Sequence, residues 1–171
     1  MTDSILCGLI GTGIGASLTP PMHEAEGARQ GMRYVYKIVD LDVLGLAVAD
    51  LPRLLRSAHD LGFRGLNITH PCKQAVIEHL DDLSPEASRL GAVNTVLFDG
   101  GRAIGHNTDW SGFGRNFDRG LGGVALDRVV QLGAGGAGAA VAYAVLTRGA
   151  REFTVVDPDL ARANALRDKL T

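Results

Sequence analysis

Four short stretches hold the residue types able to do chemistry. Asn67-Ile68-Thr69-His70-Pro71-Cys72-Lys73 closes an apolar, strand-like run in a lysine, and Gly91-Ala92-Val93-Asn94-Thr95 and Gly105-His106-Asn107-Thr108-Asp109 follow it. Gly133-Ala134-Gly135-Gly136-Ala137-Gly138 comes last. Hydride leaving a carbinol carbon requires a group to take the hydroxyl proton, and the reverse reaction requires that proton returned. A lysine and an aspartate can share that task. Small hydroxyl and amide side chains around them suit a polyhydroxylated substrate, and the glycine turn suits a dinucleotide. Together the stretches read as hydride transfer to or from a small polyol.

Each candidate also has a plainer reading. Lys73 lies just past a strand end, at the opening of a helix, where partial desolvation suits a proton carrier; an ordinary solvated lysine fits the same position. Asp109 either takes part in the chemistry or caps the helix after it. Ser17 and Thr19 sit in a glycine-rich loop before a helix, where hydroxyls cap the helix or bind a carboxylate. Thr69 and Asn94 fall at element ends, and the Asn94 amide can both donate to and accept from a diol. His23, His59, His70, His79 and His106 show no zinc-ligand spacing such as HExxH, so no metal is expected. They are read as structural or surface residues, with His70 a candidate lining residue. No G-x-S-x-G nucleophile elbow occurs.

Gly133, Gly135 and Gly138 satisfy G-x-G-x-x-G, a weak signal alone. Here an apolar strand, Val129-Val130-Gln131-Leu132, precedes it and an alanine-rich helix follows. In that setting the first glycine permits the sharp turn, the second admits a pyrophosphate, and the third lets helix and strand pack closely. The phosphates would rest on the helix N-terminus, flanked by Ala134, Gly136 and Ala137. Asp157 closes the second strand near the spacing expected of a ribose-binding acid. Its carboxylate would accept ribose hydroxyls and repel a 2′-phosphate, which favours NAD over NADP. Capping of the last helix is the competing role.

The elements that must position these groups alternate. Strands are predicted over residues 5–10, 34–39, 65–69, 128–132 and 153–156, and a hairpin over 93–98 and 102–106 around Asp99-Gly100-Gly101. Helices are predicted over 20–31, 52–61 (capped by Asp50), 71–80, from Pro85, and over 109–119, 136–148 and 161–170. The expected fold is α/β with mainly parallel sheets. A mixed α/β substrate domain over residues 1–120 precedes an incomplete Rossmann domain over 121–171, divided at the glycine run 120–123.

Composition narrows the class. The 171 residues are 46% hydrophobic and 21% charged, with a net charge of -2, which suits a protein with a real core. That balance speaks against a basic nucleic-acid surface or a polybasic membrane patch. No apolar run nears the roughly 18 residues of a membrane span. The first residues lack a basic signal-peptide start. Cys7 and Cys72 form no CxxC and read as free thiols. A soluble, cytoplasmic protein is expected.

Taken in order and spacing, the motifs resemble those of the shikimate dehydrogenase family, and within it the quinate/shikimate dehydrogenases. Ser17-Leu18-Thr19-Pro20 with Met22-His23 is similar to the family's N-terminal serine-x-serine/threonine-proline motif. Residues 67–73 resemble its N-[VI]-T-x-P-x-K signature, and residues 91–95 and 107–109 resemble two more. The resemblance implies that Lys73 and Asp109 form the acid–base pair. It implies that Ser17, Thr19, Thr69, Lys73, Asn94 and Asp109 hold the substrate. The implied reaction is reversible oxidation of shikimate to 3-dehydroshikimate, or of quinate to 3-dehydroquinate, with no metal. Threonine at Thr19 is similar to members that accept quinate.

NADP-using relatives show an N-R-[ST]-x-x-R pattern after the second cofactor strand. Here it is Asp157-Pro158-Asp159-Leu160-Ala161-Arg162: Pro158 replaces the first arginine and Arg162 remains, which reinforces NAD. Cys72 and Trp110 are further departures. The family continues past this chain with more cofactor-domain strands, a full dinucleotide fold having about six. The expectation is therefore a fragment, or a chain that depends on another. The expected partner is the small-molecule acid, not nucleic acid or membrane, with a homodimer as the candidate assembly. Competing readings are a noncatalytic substrate-binding module and an NADP-dependent shikimate or aminoshikimate dehydrogenase.

Overall fold

A computed structural model describes residues 4–170. The fold is mixed α/β, and it divides into two compact units. The first runs to Ser84 and resumes over Ala92–His106; the second comprises Pro85–Gly91 and the chain from Asn107 on.

In the first unit, β1 (Ser4–Gly11) leads through α1 (Thr19–Arg29) to β2 (Arg33–Asp40), then through α2 (Leu41–Leu44) and α3 (Leu51–Asp60) to β3 (Gly65–Ile68). A short α4 (Cys72–Ala75), a single 3₁₀ turn (Val76–His79) and β4 (Asp82–Leu83) follow, and β5 (Thr95–Asp99) and β6 (Arg102–His106) complete the sheet. The strand order is β2-β1-β3-β5-β6-β4. β1 lies in parallel between β2 and β3, so Leu9 and Ile10 of β1 and Leu66 and Ile68 of β3 are buried. Strands covered on both faces read as continuous apolar runs.

The sheet is mainly parallel, as expected, with β1–β2, β1–β3 and β4–β6 parallel and two antiparallel pairings beside them. β3–β5 and β5–β6 pair antiparallel. The cause is local: Gly100 (φ +56°) and Gly101 (φ +80°) form the two-residue turn between β5 and β6. Such left-handed pairs match the strand twist and return the chain antiparallel.

Two helices also differ from expectation. The Asp50 side chain does not cap α3: it accepts from the Ala47 N–H at 3.0 Å and from Arg53 at 3.1 Å. The helix expected over 71–80 breaks after Ala75 into the 3₁₀ turn, as Cys72 and Val76 are drawn into the core.

The second unit contains α5 (Pro85–Leu90), α6 (Asp109–Leu121), β7 (Arg128–Leu132), α7 (Gly136–Leu146), β8 (Glu152–Val156) and α8 (Leu160–Leu170). β7 and β8 pair in parallel with α7 as the crossover, the opening of a Rossmann fold. Leu90, Ala134, Ala139, Ala140, Ala142 and Leu166 form its core.

α6 belongs to the second compact unit, where it packs on α7. Trp110 meets Tyr143 edge-on at 5.2 Å, and Arg148 grips Asp118 through Nε and Nη2 at 2.6 and 2.7 Å. Gly114 makes room, because a Cβ there would strike the Arg148 guanidinium.

Candidate active site and dinucleotide turn

The loop after β1 is set by a carboxylate at the end of β2. Asp40 accepts from the Gly13 N–H at 3.1 Å and the Ile14 N–H at 2.8 Å, and also from Asp42 N–H at 3.1 Å. Burial works against its charge. The N–H groups of Ile14, Asp42, Gly13 and Val43 together outweigh that and hold the carboxyl below its ordinary value. Further along, the Ser17 N–H donates to Ile14 O at 3.0 Å. Ser17 Oγ accepts from the Thr19 N–H at 3.2 Å and donates to Thr19 Oγ1 at 2.9 Å. Ser17 thus turns back on Thr19 one residue ahead of the N-cap Leu18, and this local turn fixes the two hydroxyls side by side.

Thr69 follows β3 directly. Its N–H donates to Ile10 O at 2.9 Å, and Thr12 N–H donates to His70 O at 3.1 Å. Gly11 is required at this crossing, since a Cβ would strike Thr69 Cγ2. Asn94 enters the same end of the sheet from the other side. Its carbonyl accepts from Ile68 N–H at 2.8 Å and its own N–H donates to His106 O at 3.0 Å. Next to it, Val93 N–H donates to Lys73 O at 2.8 Å, which ties the lysine's backbone to the Asn94 segment. Ser17, Thr19, Thr69, Lys73 and Asn94 are thus carried on segments that meet at the carboxyl ends of β1 and β3.

In the second unit, Asp109 opens α6. Asn107 Oδ1 accepts the Asp109 N–H at 3.1 Å, one residue ahead of the N-cap. Asp109 is a first-turn carboxylate of α6 and not its N-cap, which is Thr108.

The glycine turn lies in the same unit. Gly133 adopts φ +97°, open to glycine but strained for other residues. A Cβ on Gly138 would strike Gly133 O, whereas one on Gly135 or Gly136 would meet open space. Close packing at the third glycine and clearance at the second fit a pyrophosphate resting on the α7 N-terminus. The Asp157 side chain, 5% exposed, accepts from the Ala134 N–H through Oδ2 at 2.8 Å and from the Asp159 N–H through Oδ1 at 2.9 Å. The Ala134 and then the Asp159 N–H keep its carboxyl below the ordinary value despite burial, with Arg162 adding to them. The α8 cap is Asp159, which accepts from Ala161 and Arg162 N–H. Arg162 stands 3.9 Å from Asp157 and 3.8 Å from Asp159.

Residues 9–96 match the family described as the shikimate dehydrogenase substrate binding domain. The chain belongs to that family. A shikimate dehydrogenase (NADP(+)) of Pseudarthrobacter chlorophenolicus is 60% identical over 99% of this chain and 58% of the relative. A quinate/shikimate dehydrogenase (NAD(+)) of Corynebacterium glutamicum is 55% identical over 98% of this chain and 60% of the relative. A solved quinate dehydrogenase from Corynebacterium glutamicum in complex with NAD superposes with a TM-score of 0.93 at 53% identity, covering 99% of this chain and 60% of that one. The chain thus spans about three-fifths of the length of these relatives.

Within the shikimate dehydrogenase motifs, several residues that sequence reasoning passed over prove structural to the site. The Tyr36 hydroxyl donates to Asn67 Oδ1 at 2.6 Å, and Asn67 Nδ2 donates to Thr95 Oγ1 at 3.2 Å. Thr95 Oγ1 in turn donates to Asn94 Oδ1 at 3.0 Å. Burial, with Tyr34 and Cys7 nearby, holds the Tyr36 phenol above its ordinary value, so it stays a donor. The ring of His23 packs on Tyr36 at 4.7 Å. Only the alternation of Tyr34 and Tyr36 on β2 hinted at this cluster. Asp40 and Gln131 left no sequence signal, since a strand-end aspartate and an inward glutamine have no motif. Among the described residues no group of three or more His, Cys, Asp or Glu side chains gathers as a metal site, and no helix is long and apolar enough to cross a membrane. A separate cavity of about 350 Å³, lined by residues including Leu55, Arg56, His59, His79 and Phe98, contains none of the candidate residues.

Proposed function

We propose that the intact protein is a nicotinamide-dependent dehydrogenase that reversibly oxidises a ring hydroxyl of shikimate and of quinate, with NAD preferred. The observation that carries this is the gathering of Ser17, Thr19, Thr69, Asn94 and Lys73 at one end of the β1–β3 pair, in a chain that also bears a dinucleotide turn. The activities named for the relatives support the substrate class.

In this reading Ser17 and Thr19 present hydroxyls to the substrate carboxylate, and Thr69 and Asn94 orient its ring hydroxyls. Lys73 and Asp109 carry the proton: it leaves the reacting hydroxyl as the C–H bond gives up hydride, and it returns in the reverse direction. The bound nicotinamide supplies the hydride acceptor, or the donor in reverse. Gly133, Ala134, Gly135, Gly136, Ala137 and Gly138 hold its pyrophosphate.

The NAD preference rests on Asp157, Pro158, Asp159 and Arg162. Relatives of both cofactor habits match the chain, so these side chains decide it. Two carboxylates already share Arg162, which leaves little positive charge for a 2′-phosphate. Asp157 remains ionised beside it and repels that group.

Lys73→Ala tests the chemistry. Turnover should fall by about 10²–10⁴-fold, the usual worth of a positioned acid–base group, while dinucleotide affinity is kept. Wild-type turnover in the variant removes Lys73 from this role. The two-strand cofactor sheet favours one second reading, a 171-residue module that binds substrate without turnover. Cofactor reduction by the 171-residue chain alone excludes it.

A further inference from the structure

The glycine turn is held by a residue outside its motif. Gln131 lies on the inward face of β7, 8% exposed, where the neighbouring inward positions are Val129, Phe153 and Val155. Its Nε2 donates to Gly133 O at 2.8 Å and to Gly138 O at 2.9 Å. Both hydrogens of one amide therefore go to the two legs of the turn, one before the pyrophosphate position and one in the first turn of α7.

The geometry points to Gln131 as a positioning residue for dinucleotide binding: it draws the Gly133 and Gly138 carbonyls inward so that the turn presents N–H groups to the pyrophosphate. This rests on the cofactor reading above. The peptide joining Gly133 to Ala134 is pinned at both ends, its carbonyl by Gln131 and its N–H by Asp157 Oδ2 at 2.8 Å. The peptide joining Gly138 to Ala139 is pinned likewise, its carbonyl by Gln131 and its N–H by Gly135 O at 2.9 Å. The first N–H groups of a helix have no partner within it, and those of α7 are left to the ligand. Without the amide, the Gly133 carbonyl would lose its tie to the first turn of α7 and be free to turn toward the phosphates, where its dipole repels an anion.

The amide's other atom strengthens the case. Gln131 Oε1 is buried with no hydrogen-bond partner among the described residues. A buried unpaired acceptor is costly, and an apolar side chain there would avoid the cost. What an apolar side chain lacks is the pair of donors. The amide's orientation follows from its two carbonyl partners, since the reversed amide would set oxygen against oxygen.

Binding of NAD, ADP-ribose and adenosine to the full-length polypeptide tests this, with wild type, Gln131→Met and Gln131→Glu compared. The expected result is a rise in Kd for NAD and ADP-ribose of about tenfold in Gln131→Met, the scale of one lost turn constraint. The rise should be larger in Gln131→Glu, which aims a carboxylate at the same carbonyls. Adenosine, which has no phosphate, should bind as to wild type, and KM for shikimate at saturating cofactor should not move. A merely structural residue would weaken all of these together. If Gln131→Met fails to fold, Gln131→Asn, one methylene too short to reach both carbonyls, takes its place. Variants that bind NAD as tightly as wild type overturn the proposal alone; a wild type that binds neither NAD nor NADP overturns the cofactor reading and the proposal with it.

Discussion

The two units of this chain hold their functional groups by different means. In the first, the candidate substrate residues extend from the ends of strands inside a six-stranded sheet, and the sheet's buried Leu9, Ile10, Leu66, Ile68 and Val96 fix where those ends lie. In the second, the sheet has two strands, and one of its faces leaves Val130 67%, Leu132 81% and Val156 49% exposed. There the glycine turn is held by polar side chains: Gln131 on two carbonyls and Asp157 on one N–H. Among the described residues, core packing carries the candidate substrate residues and a few polar pegs carry the glycine turn.

That contrast can be broken by mutation. In the 171-residue chain, Leu66→Ala should cost about 2–5 kcal/mol, a full cavity in the first unit. Val130→Ala, on the uncovered face, should cost less than about 0.5 kcal/mol. Urea denaturation followed by circular dichroism reads both, and similar losses would mean that the two sheets are not differently supported. Smaller in energy but sharper for the second unit is Asp157→Asn. It removes the charge facing a 2′-phosphate and keeps an oxygen for the Ala134 N–H, so kcat/KM for NADP relative to NAD should rise roughly tenfold. An unchanged ratio would take cofactor choice away from Asp157.

The smallest expected effect belongs to Asp40. Its carboxyl is held below the ordinary value of 3.8, so its contribution is present above that pH and is lost as pH falls through the lower folded value. Wild type should therefore lose stability more steeply than Asp40→Asn below about pH 4. The variant should also show a higher KM for the acid substrate at neutral pH, because the Gly13–Ile14 loop that leads to Ser17 is loosened. Parallel acid profiles would show that Asp40 does not carry that charge-dependent support.

Much of this was legible in the sequence where local chemistry determines the outcome. The strands β1, β2 and β3 follow from their apolar runs, and the β5–β6 hairpin from Gly100-Gly101, since each depends on a few adjacent residues. The antiparallel pairing of β3 with β5 was not legible, because it is settled by which edges remain after the hairpin closes. The packing of α6 on α7 includes a glycine, Gly114, that clears space for an arginine 34 residues later, an arrangement no local pattern announces. Around the candidate site, the motif residues stand out in the sequence, but the groups that hold them do not. Asp40 and Gln131 act through backbone groups they meet only in the fold and leave no periodic trace, and Tyr36 leaves only its alternation with Tyr34.

The central claim is that this polypeptide belongs to an enzyme that passes hydride between a hydroxylated ring acid and NAD. Initial rates of cofactor reduction by the full-length protein, with shikimate and with quinate, each against NAD and NADP, test it most directly. The account predicts turnover of both acids with a higher kcat/KM for NAD. Absence of reduction with either acid under all four pairings would contradict it.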